Sequence, residues 1–177
     1  MSDLTLVAEQ IRACQRCRLA QTRGRAVPGE GPENAPILLI GEGPGFHEDR
    51  QGRPFVGRSG DLLEDLMASI GLTRDDVFIA NVVKCRPPDN RDPLPDEIEA
   101  CRPYLDRQIE LIRPRLVLTL GRISMARYFS GQSITRIHGQ IKWEGETGYV
   151  PMFHPAAALR NPQWMAAIRQ DFAQLAP

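Results

Sequence analysis

Apolar positions along the chain follow two rhythms. Unbroken apolar runs occur at 37–40 (Ile37, Leu38, Leu39, Ile40), at 77–83 with Asn81 as an interruption, at 116–120 and at 149–153. Such runs fit strands of a sheet buried on both faces. Between them, apolar residues recur at helical spacing over 3–14, 96–113, 123–129 and 162–176, the last opened by Pro162. A further helix is expected from a cap at Ser59 to about Gly71, with Leu62, Leu63, Leu66 and Ile70 on one face. Segments 17–36, 41–60 and 86–95 have no period and read as loops, and 134–144 reads as a short hairpin. Strands alternating with helices imply an α/β fold, a three-layer α/β/α sandwich around a central, mainly parallel four-stranded sheet. The length suits a single domain over 1–177.

The first apolar run stops abruptly in Gly41-Glu42-Gly43-Pro44-Gly45, a glycine-rich loop carrying one carboxylate. Any strand-to-helix turn can need such glycines, so the loop alone says little. The segment that follows, 41–60, is long for a loop and carries Pro54-Phe55-Val56, which favours a functional loop. In parallel sheets ligands bind beyond the carboxyl ends of the strands. Glu42 follows the first strand, Asn81 lies in the second and His154 follows the fourth, so all three can meet in one cleft.

Composition adds constraints on setting. With 42% hydrophobic and 25% charged residues the chain is that of an ordinary soluble protein. No stretch is apolar enough to span a bilayer, and the N-terminus lacks a basic region before a hydrophobic core, so no membrane association and a cytoplasmic location are expected. The formal net charge of +0 argues against general coating of polyanions. Positive charge is nearly all arginine, with only Lys84 and Lys142 as lysines. That bias suits phosphate contacts, and high genomic G+C content explains it equally well. Arg12, Arg16, Arg18, Arg23 and Arg25 make a local basic patch.

Four cysteines remain: Cys14 and Cys17 as C-x2-C, Cys85 and Cys101 as C-x15-C. A cytoplasmic protein neither keeps nor needs disulfides, and the bland reading of buried small hydrophobes fits such pairing poorly. A four-thiolate metal site is favoured, and the spacing leaves zinc and a [4Fe-4S] cluster both open.

Four segments together, Gly41–Gly45, 48–57 (Glu48 to Gly57, with Phe55), Asn81-Val82-Val83-Lys84-Cys85-Arg86-Pro87 and His154-Pro155-Ala156-Ala157-Ala158-Leu159-Arg160, closely resemble the family-four uracil-DNA glycosylases. The resemblance runs in order from Cys14 to Arg160. It implies a structural [4Fe-4S] cluster held by Cys14, Cys17, Cys85 and Cys101. It further implies Phe55 stacking on uracil, Asn81 reading its edge and His154 approaching O2 of the leaving base. Gly41 and Gly43 would floor the pocket, and Glu48 would lie near the C5 edge. In the best-known branch of the superfamily an aspartate orients the attacking water where this chain has Gly43, so Glu42 becomes the candidate. The segment 154–160 resembles a minor-groove wedge, but Ala158 stands where leucine is usual, which leaves Leu159 as the apolar candidate and Arg160 for a phosphate.

The implied activity is hydrolysis of the N-glycosidic bond of deoxyuridine in single- and double-stranded DNA by a monomer, leaving an abasic site without strand cleavage. Two relatives compete with this reading. One traps DNA covalently through a histidine in an inserted basic loop, which the sequence after Lys84 lacks; the other, a non-catalytic nucleic-acid-binding module, would be expected to lack Asn81 or His154. His47 and His138 match no role and are expected at the surface.

Overall fold

The computed structural model describes residues 1–176. Its elements in chain order are α1 (Asp3–Arg12), α2 (Leu19–Thr22), β1 (Ile37–Gly41), α3 (Phe46–Gln51), α4 (Arg58–Ala68), β2 (Val77–Asn81) and α5 (Pro95–Ile112). There follow β3 (Leu116–Leu120), α6 (Arg122–Met125), α7 (Ile134–Ile137), β4 (Lys142–Glu144), β5 (Thr147–Met152), α8 (Pro155–Arg160) and α9 (Pro162–Ala173).

The sheet has five strands in the order β2-β1-β3-β5-β4, one more than the sequence implied. Four are parallel, with Ile37 opposite both Val77 and Leu116, and Leu116 opposite Gly148. The added strand β4 runs antiparallel to β5, Trp143 facing Gly148. It was hidden in the expected hairpin at 134–144, which instead splits into α7 and β4, because β4 is short, exposed and pairs forward with β5.

Strand side chains alternate between two cores, as a two-residue period requires. On one face Leu38, Ile40, Phe78, Ala80 and Val117 pack with Leu4, Val7 and Ile11 of α1 and Leu105 and Ile112 of α5. On the other, Leu39, Ile79, Leu118, Val150 and Met152 meet Leu62, Leu63, Leu66 and Met67 of α4 and Ile168 and Phe172 of α9. Sheet and helices therefore form the α/β/α sandwich.

Several boundaries differ from expectation. The helix foreseen from Ser59 begins at Arg58 with Gly57 as its cap residue, and ends at Ala68. The segment 41–60 is not all loop: α3 occupies Phe46–Gln51 and ends on Gly52 in the left-handed region, φ 72°. The helix expected over 123–129 is shortened to Arg122–Met125. The segment after His154 is helical, as α8, and the closing helix stops at Ala173. Pro177, the last residue of the expected single domain, lies outside the described residues.

Candidate functional site

The carboxyl ends of β1, β2 and β5 open into one cleft bordered by Glu42, Gly43, Gly45, Glu48, Phe55, Asn81 and His154. Chain order makes this a switch point, since β1 lies between β2 and β3 in the sheet.

Asn81 ends β2 directly opposite Gly41 of β1. It is 2% exposed, and its side chain forms no hydrogen bond with the described residues, although it borders the cleft. Buried amides are seldom left so. Gly41 is required here by space: a Cβ would stand 2.4 Å from Asn81 Oδ1 and 2.7 Å from Phe55 Cε2. The Asn81 amide and the Phe55 ring therefore both crowd Gly41. At Gly43 a Cβ would lie 2.9 Å from Val83 Cγ2.

Phe55 is buried and adopts φ 52°, a conformation that costs a non-glycine residue free energy. Three contacts hold it there. Arg74 donates from Nη1 to the Pro54 carbonyl at 2.9 Å and from Nη2 to the Phe55 carbonyl, and Gly60 of α4 leaves room for that carbonyl. Arg74 is fixed in turn by Glu64 at 2.5 Å and Glu30 at 3.1 Å. Glu48 closes the same loop: Oε1 accepts from Gly45 N at 3.0 Å, and Oε2 from Val56 N and Gly57 N at 2.9 and 3.0 Å. The Phe55 ring lies 5.6 Å from the His154 ring, the planes inclined by 25°.

His154 caps α8, its Nδ1 accepting from Ala156 N at 3.0 Å. That bond assigns the remaining proton to Nε2. Burial pulls its pKa down to about 4, the Arg160 charge adding to the shift and Glu48 opposing it, so the ring is a neutral donor at physiological pH. Glu42 Oε2 accepts from Ile123 N at 3.0 Å, which ties the end of β1 to the start of α6. Burial raises its pKa and Asp92 pushes the same way, against the Ile123 bond and Arg122. Gly121, with φ 100°, lets Glu42 and His154 approach: a Cβ there would sit 2.9 Å from Glu42 Oε1 and 3.2 Å from His154 Cβ.

Sequence reasoning did not single out Arg74, Gly60 or Gly121. A glycine ending the third apolar run was the available signal for Gly121; Arg74 had none. Of the predicted wedge, Ala158 is buried in the core while Leu159 is 37% exposed and Arg160 borders the cleft. His47 is exposed at the cleft rim. His138, expected at the surface, is only half-exposed because Nδ1 pairs with the buried Asp171 Oδ2 at 2.7 Å.

A second, narrow cavity, about 10 Å³ in volume, is lined by Cys14 and Cys17 after α1, Cys85 after β2 and Cys101 in α5, with Ile11, Leu19 and Tyr104. All four cysteines are free thiols. Burial raises the pKa of Cys85 and lifts that of Cys101 to about 11. Donors for a charged sulfur stand ready: Arg23 Nη1 is 3.3 Å from Cys85 Sγ and Arg16 N 3.4 Å from Cys14 Sγ. The four thiols line this one cavity, and among the described residues no group is gathered for a single metal ion.

The sequence profile of the uracil DNA glycosylase superfamily matches residues 28–174. The type-4 uracil-DNA glycosylase of Sulfurisphaera tokodaii is 49% identical over 99% of this chain and 84% of its own. That of Archaeoglobus fulgidus is 42% identical over 99% of this chain and 92% of its own, and that of Thermotoga maritima 45% identical over 89% and 84%. With matches of this extent and with the cleft motifs in order, the chain belongs to the uracil DNA glycosylase superfamily, in its type-4 branch.

Proposed function

We propose that the chain removes uracil from DNA by hydrolysing the N-glycosidic bond of an extruded deoxyuridine. The observation that carries this reading is Asn81, a buried amide facing the cleft with its hydrogen-bonding capacity unspent. Uracil presents N3–H to its oxygen and O4 to its amino group; cytosine presents the reverse and would leave both sides unpaired. Phe55 offers its ring to the base, and Gly41 and Gly43 supply the floor.

As the C1′–N1 bond breaks, its electron pair passes to the base and negative charge gathers at O2. His154 donates Nε2–H there, and a neutral imidazole does so without itself losing a proton. Glu42 holds the attacking water with Oε1, its other oxygen being engaged by Ile123 N–H. The water oxygen bonds to C1′, and the released proton leaves through Glu42. Glu48 acts on the C5 edge by fixing the loop wall that would meet a thymine methyl group. The products are free uracil and an abasic sugar. No phosphodiester is cut, since Lys84 is buried against Gln108, Lys142 lies on β4, and neither borders the cleft.

DNA binding is supported by unneutralised arginines. Arg50, Arg58, Arg86 and Arg160 stand at or beside the cleft with no carboxylate partner among the described residues, whereas Arg91 and Arg122 are paired with Glu97 and Asp92. Leu159 is the exposed wedge and Arg160 its phosphate contact. For the four thiols, a zinc would need every sulfur near 2.3 Å from one centre. Four thiols lining one cavity, two of them with N–H donors at hand, fit a [4Fe-4S] cluster, which would be held by Cys14, Cys17, Cys85 and Cys101 and would contribute cohesion between α1, α5 and the β2 end. A reducing, cytoplasmic setting suits free thiols, and no helix among the described residues is long and apolar enough to cross a membrane. One domain acting as a monomer completes the reading.

The test is release of free uracil from a single-stranded oligonucleotide and from matched U:G and U:A duplexes, with thymine-containing controls left intact. Intact uracil strands across a range of salt and temperature would overturn the reading.

A further inference from the structure

The rim of the cleft carries a side-chain group that this chemistry does not use. Phe46, at the start of α3, is a large aromatic 46% exposed, and it borders the same cleft as Glu42, Asn81 and His154. The Arg50 guanidinium, one turn further along α3, lies 5.3 Å from its ring centroid. Arg86, from the loop after β2, lies 5.5 Å from the same centroid. The His47 ring meets Phe46 edge-on at 5.3 Å. Neither arginine has an acidic partner among the described residues, and Arg86 Nε donates to Asn90 Oδ1 at 2.7 Å, which leaves its terminal nitrogens free. Two bare guanidiniums against one ring repel each other, and an exposed ring compensates weakly. An anion contacted by both would offset that repulsion.

We propose that Phe46, Arg50 and Arg86 form a phosphate clamp for the DNA strand, gripping a phosphodiester beside the extruded nucleotide. The identity of that nucleotide rests on the uracil reading above; the clamp itself rests on the charge and geometry of the rim. Position fixes the occupant, because a strand whose base enters the cleft must carry its neighbouring phosphates across the mouth. Guanidinium forks match phosphate oxygens, and a ring that already holds both forks in place lowers the ordering cost of the contact.

The test pairs a protein change with a substrate change. Single-stranded oligonucleotides carry one uncharged methylphosphonate at successive linkages around a tetrahydrofuran abasic site, and binding is read by fluorescence anisotropy on the full-length holoprotein. One neutral linkage should weaken the wild type on the order of tenfold, and the same linkage should weaken Arg50→Gln or Phe46→Ala by less than about twofold. The salt dependence of binding should flatten by about 0.7 per lost contact on single strands. With deoxyuridine in place of the abasic site, the same variants should raise KM more than they lower kcat. Equal sensitivity of wild type and variants to every neutral linkage, with an unchanged salt slope, would overturn the clamp. Uracil release by the wild type is scored separately. Its failure removes the uracil reading while the anisotropy arm still reports on the clamp.

Discussion

His154 shows how one hydrogen bond selects a chemical state. Accepting at Nδ1 from Ala156 N leaves Nε2–H as the donor, and protonation would force Nδ1 to give up its acceptor role. The folded pKa of about 4 lies below the ordinary histidine value of 6.5, so between these values the unfolded chain binds the extra proton. This contribution to stability is present above pH 6.5 and is lost as pH falls toward 4, up to on the order of 3 kcal/mol. The acid limb of kcat should accordingly be set by Glu42, whose pKa burial raises, and not by His154, so His154→Ala should lower kcat roughly 100-fold while leaving that limb in place. A pH–rate profile of both proteins checks this. The candidate site residues were legible in the sequence where they sat beside strand ends: Glu42, Asn81 and His154 border one cleft, as expected. Arg74 was not legible, because its partners Pro54, Phe55, Glu30 and Glu64 come from three separate segments that only the fold brings together.

Among elements, the Phe55 loop carries a conformational cost at the cleft wall. Its left-handed φ is tolerated because Arg74 and Gly60 take up the carbonyl and Glu48 gathers three N–H groups across the loop. Arg74→Ala should therefore free the ring. We expect the inhibition constant of free uracil to rise roughly tenfold, with a smaller fall in kcat, from the loss of charge-assisted bonds of the usual strength. An unchanged inhibition constant would assign Arg74 to stability alone. Long strands and helices were readable from their apolar rhythm, since each buries a face. The short elements α3, α7, α8 and β4 were not, because three to six residues hold too few apolar positions to set a period, and their ends are fixed by Gly52, Asn161 and pairing with β5.

On the scale of the whole molecule, the segment from Asn81 to Cys85 joins the two cavities. Val82 N and Val83 N donate to Gly41 O and Glu42 O on the cleft side, while Lys84 O accepts from Val27 N and Lys84 Nζ reaches Gln108 at 2.7 Å. Cys85→Ala should abolish the visible absorption of the purified protein and lower its melting temperature, and uracil release should fall with the folded fraction. A variant that stays coloured and equally stable would detach Cys85 from the cluster. The mainly parallel sandwich was evident from strand–helix alternation, whereas the fifth strand was not, because Lys142, Trp143 and Glu144 are all exposed at an edge and carry no core pattern.

The thiol-lined cavity also bears on how the protein is made. Cys14 and Cys17 leave the ribosome about 80 residues ahead of Cys101. At about 5–20 residues per second this interval is on the order of ten seconds. Through that time the first pair has neither its partners nor the wall that α5 supplies. Assembly of the cavity must wait for α5, so under the proposed cluster reading iron would be delivered in the late stages of synthesis, and the nascent thiols would need a reducing environment until then.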